Sequence, residues 1–446
     1  MYSNTDTIEQ VLPQTVDWRE LTPTRKAMIL SRPEFSNSEG VQKTVKEILD
    51  DVRREGDKAL RHYSQKFDFC NLEDFLVTKN ESEIASRKLS VQAKQAIERA
   101  KLQIEKFQTF CAPEDRAIVI SPGIQLLKQS RPIDSVGLYI PGGSAPLPST
   151  VLMLALPAKI ANCPEIVICT PPNAKGEIDP SILYAAQISG TTKIFKIGGA
   201  QAIAALAFGT ESVPKVNKVF GPGNAYVTAA KMMVTKYCNG LDIDMPAGPS
   251  EVIVVCDSSA DYEFVASDLL SQAEHDPNSQ VILIADCSDT IACIKKEILV
   301  QLDFAARSST IKSALASSRF IKVSNIEEAI DISNEYAPEH LILNVENYNS
   351  YIPKIRNAGS VFLGPYSPES AGDYASGTNH VLPTYGYAKS MSGISVDSFL
   401  KQLTFQTISI EGLRDIGPTI ETLAGIEGLE AHKYAVTCRL DKAGRS

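Results

Sequence analysis

Short apolar runs alternate with alanine-rich stretches in the middle of the chain, and this alternation most constrains the fold. The runs SVGLYI, EIVICT, KIFKI and NKVF are separated by helical patterns and by loops containing PGG, GGAQ and GPGN. A second series begins with EVIVVCD, continues through a helical pattern from about Asp261 to His275 and returns as VILIAD. Strands that alternate with helices predict parallel βαβ units. We therefore expect an α/β protein with two open parallel sheets.

Smaller segments flank these two series. A chain of 446 residues exceeds one ordinary domain, so two cores with appendages are expected. Apolar residues recur at helical spacing from Ser38 to Asp68 and from Glu83 to Cys111, which predicts amphipathic helices covering a core. A polar, glycine-rich stretch begins at Gly359, and loops of this length usually carry function.

Composition excludes several classes of protein. The net charge of −9, without a Lys/Arg block, argues against nucleic acid as the main partner. The longest apolar stretches, 149–161 and 200–209, are too short to span a bilayer. The N-terminus lacks a signal or transit pattern, so a cytoplasmic location is expected. Nine scattered cysteines without a CxxC pair favour free thiols over disulfides or a thiolate zinc site.

Histidine is scarce, and four of the five histidines occur in unusual contexts. His62 lies in a charged helical pattern and receives no role. In SQAEHDP, Gln272 and His275 are three residues apart and project from one helix face, which suits two ligands of one metal or, equally, a solvated face. Asp373 and His432 add a carboxylate and an imidazole, which are typical zinc partners. Spacing alone cannot join these segments.

APEHLIL places Glu339 and His340 side by side immediately before a β-like run. An imidazole beside a carboxylate suits general acid/base chemistry near neutral pH, although a capped loop would give the same pattern. The first strand is not followed by GxGxxG, so the standard dinucleotide fingerprint is absent. The loops YIPGGS and FGPGNAY remain open to two interpretations, as phosphate-binding loops or as tight turns.

Eight segments of the chain, taken together and in order, resemble the histidinol dehydrogenase family. They are GLYIPGG, IGGAQAIAALAFGT, GPGNAYV, DMPAGPSE, SQAEHDP, APEHL, SAGDYASGTNHVLPT and EGLEAH. The resemblance spans nearly the whole chain, and no position expected to be functional departs from the family pattern. It implies oxidation of L-histidinol through bound L-histidinal to L-histidine, with two NAD reduced.

The resemblance also implies a role for individual residues. Glu339 and His340 would be the catalytic acid/base pair. One zinc ion per subunit would be held by Gln272, His275, Asp373 and His432. NAD would contact Tyr139, Gln201 and Asn224. Substrate would contact Ser250, Gln272, His275, His340, Asp373, Glu427 and His432, and His380 would line the imidazole pocket. Helix or strand capping by Ser250 and a satisfied loop histidine at position 380 are the structural alternatives.

The fold implied by the resemblance is two incomplete Rossmann-like open-sheet domains with small N- and C-terminal helical arms. Residues 1–29 would be the N-terminal arm, and residues 30–134 with 252–394 the first α/β domain, carrying most metal and catalytic residues. Residues 135–251 would form the second, NAD-side domain, and 395–446 the C-terminal helical arm. The family also implies an intertwined homodimer in which Glu427 and His432 complete the partner's site.

Three alternatives remain open from the residues alone. A related zinc- and NAD-dependent dehydrogenase could act on another amino alcohol or on a sulfonated diol, although Ser250, His380 and Glu427 favour histidinol. A zinc hydrolase would need the same metal ligands and Glu/His pair, but it would turn over without NAD. A non-catalytic zinc-binding scaffold would leave Glu339 and His340 without a purpose. Manganese or cobalt could replace zinc at a site without thiolates.

Overall fold

The structure is a computed structural model and describes residues 12–32, 38–142, 145–191, 193–246 and 248–444. Residues 1–11 of the expected N-terminal arm and the last two residues of the C-terminal arm lie outside this part. Strands of the described residues form three sheets with six, five and three strands. None of the helices in the described ranges is both long and apolar enough to cross a bilayer.

The strands are numbered here in chain order. They are β1 (Thr15–Asp17), β2 (Arg116–Ser121), β3 (Ile124–Pro132), β4 (Ser135–Tyr139), β5 (Glu165–Thr170), β6 (Lys193–Lys196), β7 (Lys218–Phe220), β8 (Asp242–Ile243), β9 (Glu251–Cys256), β10 (Gln280–Ala285), β11 (Arg319–Lys322), β12 (His340–Asn344), β13 (Ser360–Leu363) and β14 (Leu400–Ile408).

The α-helices are numbered in the same way. They are α1 (Pro23–Ile29), α2 (Glu39–Glu55), α3 (Asp57–Phe67), α4 (Lys79–Lys88), α5 (Val91–Cys111), α6 (Pro148–Ile160), α7 (Pro180–Ser189), α8 (Gly199–Phe208), α9 (Ala225–Tyr237), α10 (Tyr262–Ala273), α11 (Ser288–Leu302), α12 (Ser308–Ala316), α13 (Ile326–Tyr336), α14 (Glu369–Tyr374), α15 (Ile410–Ile426) and α16 (Glu430–Ala443).

The six-stranded sheet has the order β1-β11-β10-β9-β12-β13, and every neighbouring pair is parallel. All residues of β9, β10 and β12 are buried. Strands covered on both faces need apolar side chains on both faces, which explains the nearly continuous apolar runs EVIVVC and QVILIA. Helices α10, α11 and α12 pack beside this sheet.

The five-stranded sheet has the order β6-β5-β4-β7-β8 and is also parallel throughout. Helices α6, α7, α8 and α9 connect its strands and bury their small and branched side chains against it. Two open parallel sheets in one α/β chain confirm the expected fold class.

The helices α2 to α5 pack differently from the expected domain grouping. Residues 30–134 were expected to accompany the six-stranded sheet, but α2 packs against α8 and α9, α4 against α7, and α5 against α6. The apolar face of α2, including Val45 and Ile48, lies in one core cluster with Val167 and Val219 of the five-stranded sheet. The reason is physical: the apolar face of α2 is buried against the helices α8 and α9, which already cover this sheet.

The two ends of the described chain join sheets rather than standing apart. Strand β1 pairs with β11, so part of the expected N-terminal arm is an edge strand of the six-stranded sheet. Strand β14 pairs antiparallel with β3, which in turn pairs with β2. Helices α15 and α16 pack against each other after β14. The C-terminal arm therefore contains a strand as well as the expected helices.

Candidate active site and cofactor cavity

The Glu339–His340 pair lies at the amino end of β12, directly before the apolar run as the sequence predicts. Helix α13 ends at Tyr336, and Ala337 adopts the left-handed conformation with φ +56°. Pro338 follows and cannot continue the helix because it lacks a backbone N–H. This tight turn places Glu339 and His340 at the amino ends of the parallel strands.

Both side chains of this pair are buried and contact the main chain of Glu251. The Oε2 atom of Glu339 accepts a hydrogen bond from the Glu251 N–H at 2.9 Å. The Nδ1 atom of His340 lies 3.3 Å from the Glu251 carbonyl oxygen and 3.7 Å from Oε2 of Glu339. The opposite ring nitrogen of His340, Nε2, is buried and has no hydrogen-bond partner among the described residues. That nitrogen is therefore available to a bound molecule.

Burial and charge act on the protonation of this pair. Burial raises the pKa of Glu339 well above its ordinary value. Burial alone lowers the pKa of His340, but the carboxylates of Glu339, Glu369 and Asp373 outweigh it and raise that pKa. Both shifts favour the protonated forms, so each group exchanges its proton at a higher pH than the free side chain, and such shifted pKa values are typical of sites that perform general acid/base chemistry.

Three of the four predicted metal ligands converge beside His340. The Oδ1 atom of Asp373 lies 3.6 Å from Nε2 of His340, and its Oδ2 atom lies 4.0 Å from Nε2 of His275. Gln272 is the penultimate residue of α10, and His275 follows in the turn, where its N–H donates to the Gln272 carbonyl at 3.4 Å. Ligand atoms of His275, Glu369 and Asp373 lie within 4.8 Å of one another.

The chemistry of this donor set fits a borderline divalent cation such as zinc. Imidazole and carboxylate groups are common ligands of such ions. The amide of Gln272, when assigned from hydrogen bonding, places its nitrogen 2.8 and 2.9 Å from the two carboxylate oxygens of Glu369. In this assignment the Gln272 amide oxygen, which is the atom able to bind a cation, points away from the Glu369 carboxylate.

Glu369 is the site residue that sequence reasoning missed. It is almost completely buried in α14, and burial raises its pKa well above the ordinary value. A signal was present in SPESAGD, because Glu369 and Asp373 are four residues apart and share one face of a helix.

Glu427 and His432 are not part of this cluster within one chain. Glu427 ends α15, His432 lies in the first turn of α16, and both residues are exposed. The cluster of potential metal ligands in the described residues contains His275, Glu369 and Asp373, without His432. The fourth predicted ligand therefore faces solvent in the single chain.

His380 links the group of potential metal ligands to a helix of the five-stranded sheet. Its Nδ1 atom lies 2.8 Å from the main-chain oxygen of Asp373, and its Nε2 atom lies 3.1 Å from Oγ1 of Thr150 in α6. Ser250 directly precedes β9 and accepts a main-chain hydrogen bond from Gln280 at 3.1 Å. His380 thus has the hydrogen-bond partners of a satisfied loop histidine, whereas the Ser250 contact is made by its main chain.

The three predicted NAD contacts line a single cavity at the five-stranded sheet. The cavity has a volume of about 920 Å³ and is lined by Tyr139, Gln201 and Asn224. Tyr139 ends β4, and its hydroxyl accepts a hydrogen bond from the Gly199 N–H at 3.0 Å. Asn224 caps α9 by accepting from the N–H groups of the helix's first turn.

The cavity fits a dinucleotide in size and in polarity. Its volume lies in the range of cofactor pockets, and two helices, α8 and α9, begin beside it, where the positive end of each helix dipole suits phosphate oxygens. The Oε1 atom of Gln201 is buried and has no hydrogen-bond partner among the described residues. A buried acceptor of this kind requires a donor, which a nicotinamide amide would supply.

A nucleotide-sized cavity at one sheet and a buried acid/base pair at the other are the features of an α/β dehydrogenase. The family model described as "Histidinol dehydrogenase" matches residues 30–440. The chain belongs to the histidinol dehydrogenase family.

Individual relatives agree with this assignment. The chain is 51% identical to the histidinol dehydrogenase of Escherichia coli (strain K12) over 426 residues, which cover 96% of this chain and 97% of the relative. It is 50% identical to that of Salmonella typhimurium, with the same coverage. The crystal structure of the histidinol dehydrogenase of Elizabethkingia anophelis superposes with a TM-score of 0.93 at 47% identity and covers 96% of this chain and 98% of that one.

Proposed function

We propose that this chain, an NAD-linked oxidoreductase by its family, oxidises L-histidinol to L-histidine in two steps. The first step removes a proton and a hydride from the alcohol and leaves L-histidinal. Water then adds to the aldehyde, and the hydrate loses a second proton and a second hydride. One alcohol and one water thus give one carboxylic acid and two reduced cofactors.

The observation that carries the proposal is the buried, unpartnered Nε2 atom of His340 beside Asp373. A base must reach the proton that it abstracts, and Nε2 is the ring atom left open. His340 receives the alcohol proton at this atom in the first step and the hydrate proton in the second. Asp373, 3.6 Å away, stabilises the imidazolium that forms.

Glu339 activates the water that adds to the aldehyde. Its Oε2 atom is already engaged by the Glu251 N–H, so Oε1 is the oxygen that faces the reacting molecule. Burial raises the pKa of this carboxyl group, which makes the carboxylate a stronger base than an exposed one. The two residues therefore have different roles: His340 accepts the proton in both oxidations, and Glu339 activates the water that hydrates the aldehyde.

The metal would be held by Gln272, His275 and Asp373, with His432 from a second copy of the chain. When bound, zinc supplies a Lewis acid that orients the amino alcohol and stabilises negative charge on its oxygen. The chain itself excludes water from this place, because Gln272 and Asp373 are buried.

NAD would occupy the cavity lined by Tyr139, Gln201 and Asn224. When bound, it accepts the hydride in each oxidation. Gln201 offers a buried acceptor, and the positive ends of the α8 and α9 helix dipoles favour the phosphates. His380 and Thr150 connect this side of the molecule to the metal cluster, so substrate and cofactor can meet between the two sheets.

A homodimer is part of the proposal. Glu427 and His432 are needed by the proposed site but are exposed on the C-terminal helices. Large apolar side chains of the same arm are also exposed, including Phe405, Leu423 and Ile426. Exposed apolar surface of this extent is typical of an interface between subunits. The two observations support an arm that completes the site of a second copy.

The test is the number of NADH molecules formed per L-histidinol consumed, measured before and after chelation and zinc readdition. Two NADH, lost on chelation and restored by zinc, are expected. One NADH would mean that the aldehyde leaves and that the role of Glu339 is wrong. Turnover without NAD would favour a hydrolase, and turnover of imidazole-free amino alcohols or sulfonated diols alone would favour a related dehydrogenase.

A further inference from the structure

Arg32 and Glu251 form a buried ion pair next to the acid/base pair, and neither side chain takes part in the proposed reaction. The Glu251 side chain is 2% exposed and that of Arg32 is 13% exposed. The guanidinium donates to both carboxylate oxygens, from Nε to Oε1 and from Nη2 to Oε2 at 2.9 Å. The Tyr385 N–H also donates to Oε1 at 3.1 Å. The Glu251 residue is thereby fixed from two directions.

The same guanidinium also holds the turn that precedes the catalytic candidates. Nη2 of Arg32 donates to the carbonyl oxygens of Tyr336 at 2.9 Å and Ala337 at 3.3 Å. The Cζ atom of the Arg32 guanidinium lies 3.7 Å from the centre of the Tyr336 ring. Ala337 is in the left-handed conformation, which a residue with a Cβ adopts only when its surroundings hold it there.

We propose that Arg32 and Glu251 are positioning residues for the reaction, an inference that rests on the proposed function. Arg32 joins the turn at Ala337 to Glu251, and the main chain of Glu251 contacts Glu339 through its N–H and His340 through its carbonyl. One planar cation therefore sets the position of both catalytic side chains without touching either. Lysine cannot reproduce the fork of hydrogen bonds, because its ammonium is a single point of charge.

A second buried ion pair carries an independent inference at the cofactor cavity. Lys231 and Asp244 form an ion pair with side chains that are 1% and 0% exposed. The Lys231 ammonium donates to the Gly221 carbonyl at 2.8 Å, and Oδ2 of Asp244 accepts from the Gly221 N–H at 2.8 Å. Both polar groups of Gly221 are thus held by one charge pair.

Gly221 opens the loop GPGN and touches the first NAD candidate. A Cβ at Gly221 would lie 2.1 Å from the carbonyl oxygen of Tyr139, so the loop depends on this close approach. The loop ends at Asn224, the cap of α9. The geometry assigns Lys231 and Asp244 as positioning residues for the cofactor, whereas Arg32 and Glu251 position the acid/base pair.

The Arg32 pair is tested by Arg32→Ala and Arg32→Lys. We expect Arg32→Ala to lower kcat about 100-fold while both KM values change less than about threefold, because binding groups stay in place. Arg32→Lys should retain more activity than Arg32→Ala, and guanidinium chloride below denaturing concentrations should restore kcat of Arg32→Ala. The matched control is Arg319→Lys at the start of β11, where the guanidinium donates to the carbonyls of Ser317 and Ser318. Equal losses in both lysine variants, or an Arg32→Ala kcat within threefold of the parent, would overturn the assignment.

The Lys231 pair is tested by Asp244→Asn and by the double variant Lys231→Met with Asp244→Asn. The double variant leaves no unpaired buried charge, so the test survives if the single variant does not fold. NAD affinity by calorimetry should fall about tenfold, with kcat at saturating NAD changed less than about threefold. Loss of kcat with unchanged NAD affinity, or an equal loss of NAD affinity in Arg32→Ala, would reject the division between the two pairs.

Hydrogen–deuterium exchange separates these inferences from the proposed function. A parent protein that fails to oxidise L-histidinol rejects the proposed function, yet exchange in residues 336–341 still tests Arg32. Exchange there should rise in Arg32→Ala and stay unchanged in Arg319→Lys. Unchanged exchange in the Arg32→Ala variant would reject the positioning role whatever the activity of the parent.

Discussion

The two parallel sheets use opposite edges for their candidate sites. Tyr139 ends β4 and Asn224 follows β7, so the cofactor cavity lies at the carboxyl edge of the five-stranded sheet. His340 begins β12 and Glu251 begins β9, so the acid/base pair lies at the amino edge of the six-stranded sheet. The carboxyl edge is the usual ligand site of open α/β sheets. Only the five-stranded sheet follows that rule.

The two edges also differ in charge. The edge of the six-stranded sheet gathers Glu339, His340, Glu369 and Asp373, all buried. At the carboxyl edge of the five-stranded sheet the three candidate NAD contacts are neutral, namely the Tyr139 hydroxyl and the amides of Gln201 and Asn224, while ionisable side chains such as Asp68 lie on the wall of the cavity. Proton transfer needs groups whose charge can change, whereas a cofactor that binds and leaves needs hydrogen bonds that do not depend on pH. Each variant below challenges this division.

The largest effect is expected for His340→Asn at the charged edge. Removing the base should lower kcat about 1,000-fold, within the range for loss of general acid/base catalysis. NAD affinity by calorimetry should stay unchanged, because the cavity residues belong to the other sheet. A kcat within tenfold of the parent would remove the charged edge from the chemistry.

Asp373→Asn tests whether the charged edge holds a metal. The neutral amide removes the carboxylate that lies between His275 and His340, so zinc affinity should fall at least about 100-fold. Zinc content after dialysis against a graded chelator, measured by elemental analysis, gives the change directly. The surface variant Asp289→Asn, in the first turn of α11, is the control and should keep its zinc. Equal zinc retention in the two variants would contradict the site.

Gln201→Ala tests the neutral edge. Loss of the buried amide should raise the Kd for NAD about tenfold, about the value of one hydrogen bond in a closed site. The kcat at saturating NAD should change less than about threefold. If kcat fell further than NAD affinity, Gln201 would belong to the chemistry and the comparison between the edges would fail.

The smallest effect is expected for Asp68→Asn, at the wall of the cofactor cavity. Burial raises the pKa of Asp68 to about 6 from an ordinary value of 3.8. The folded state therefore favours the protonated carboxyl, and this stability is complete below the unfolded pKa and lost as the pH rises through 6. Asparagine mimics the protonated form, so at pH 8 the variant should be more stable by about 1 kcal/mol, since the group is only half-buried.

Urea unfolding of parent and Asp68→Asn without cofactor measures this difference. The gain in the free energy of unfolding should shrink as the pH falls from 8 towards 4, where both side chains are neutral. A constant gain across that range would mean that the carboxylate charge is not the cause.

Much of the fold could be predicted because buried parallel strands leave a clear pattern. The runs that became β4, β5, β9 and β10 are apolar on both faces, and their alternation with helices indicated two sheets. The three-stranded sheet left no such pattern. Strand β2 is exposed along most of its length, so it lacks the apolar pattern of a buried strand. Strand β14 pairs with β3, which is far away in the sequence, so the partner of β14 could not be deduced from neighbouring residues.

The candidate site could be predicted as far as motifs reach. The resemblance named His275, Glu339, His340 and Asp373, and the structure brings these four together. Arg32 could not be found, because its carboxylate partner Glu251 is 219 positions away and its other contacts are main-chain oxygens that any sequence provides. Glu369 was within reach, since one helical turn separates it from Asp373.

Strand β1 pairs with the distant strand β11, and Lys322 donates a hydrogen bond to Asp17 across 305 positions of the sequence. This arrangement orders events during translation. All five strands of the five-stranded sheet have left the ribosome shortly after residue 243 has been added. The six-stranded sheet is complete only after β13, which ends at Leu363, has been synthesised. A nascent chain therefore carries a nearly complete nucleotide cavity while its first strand is still unpaired.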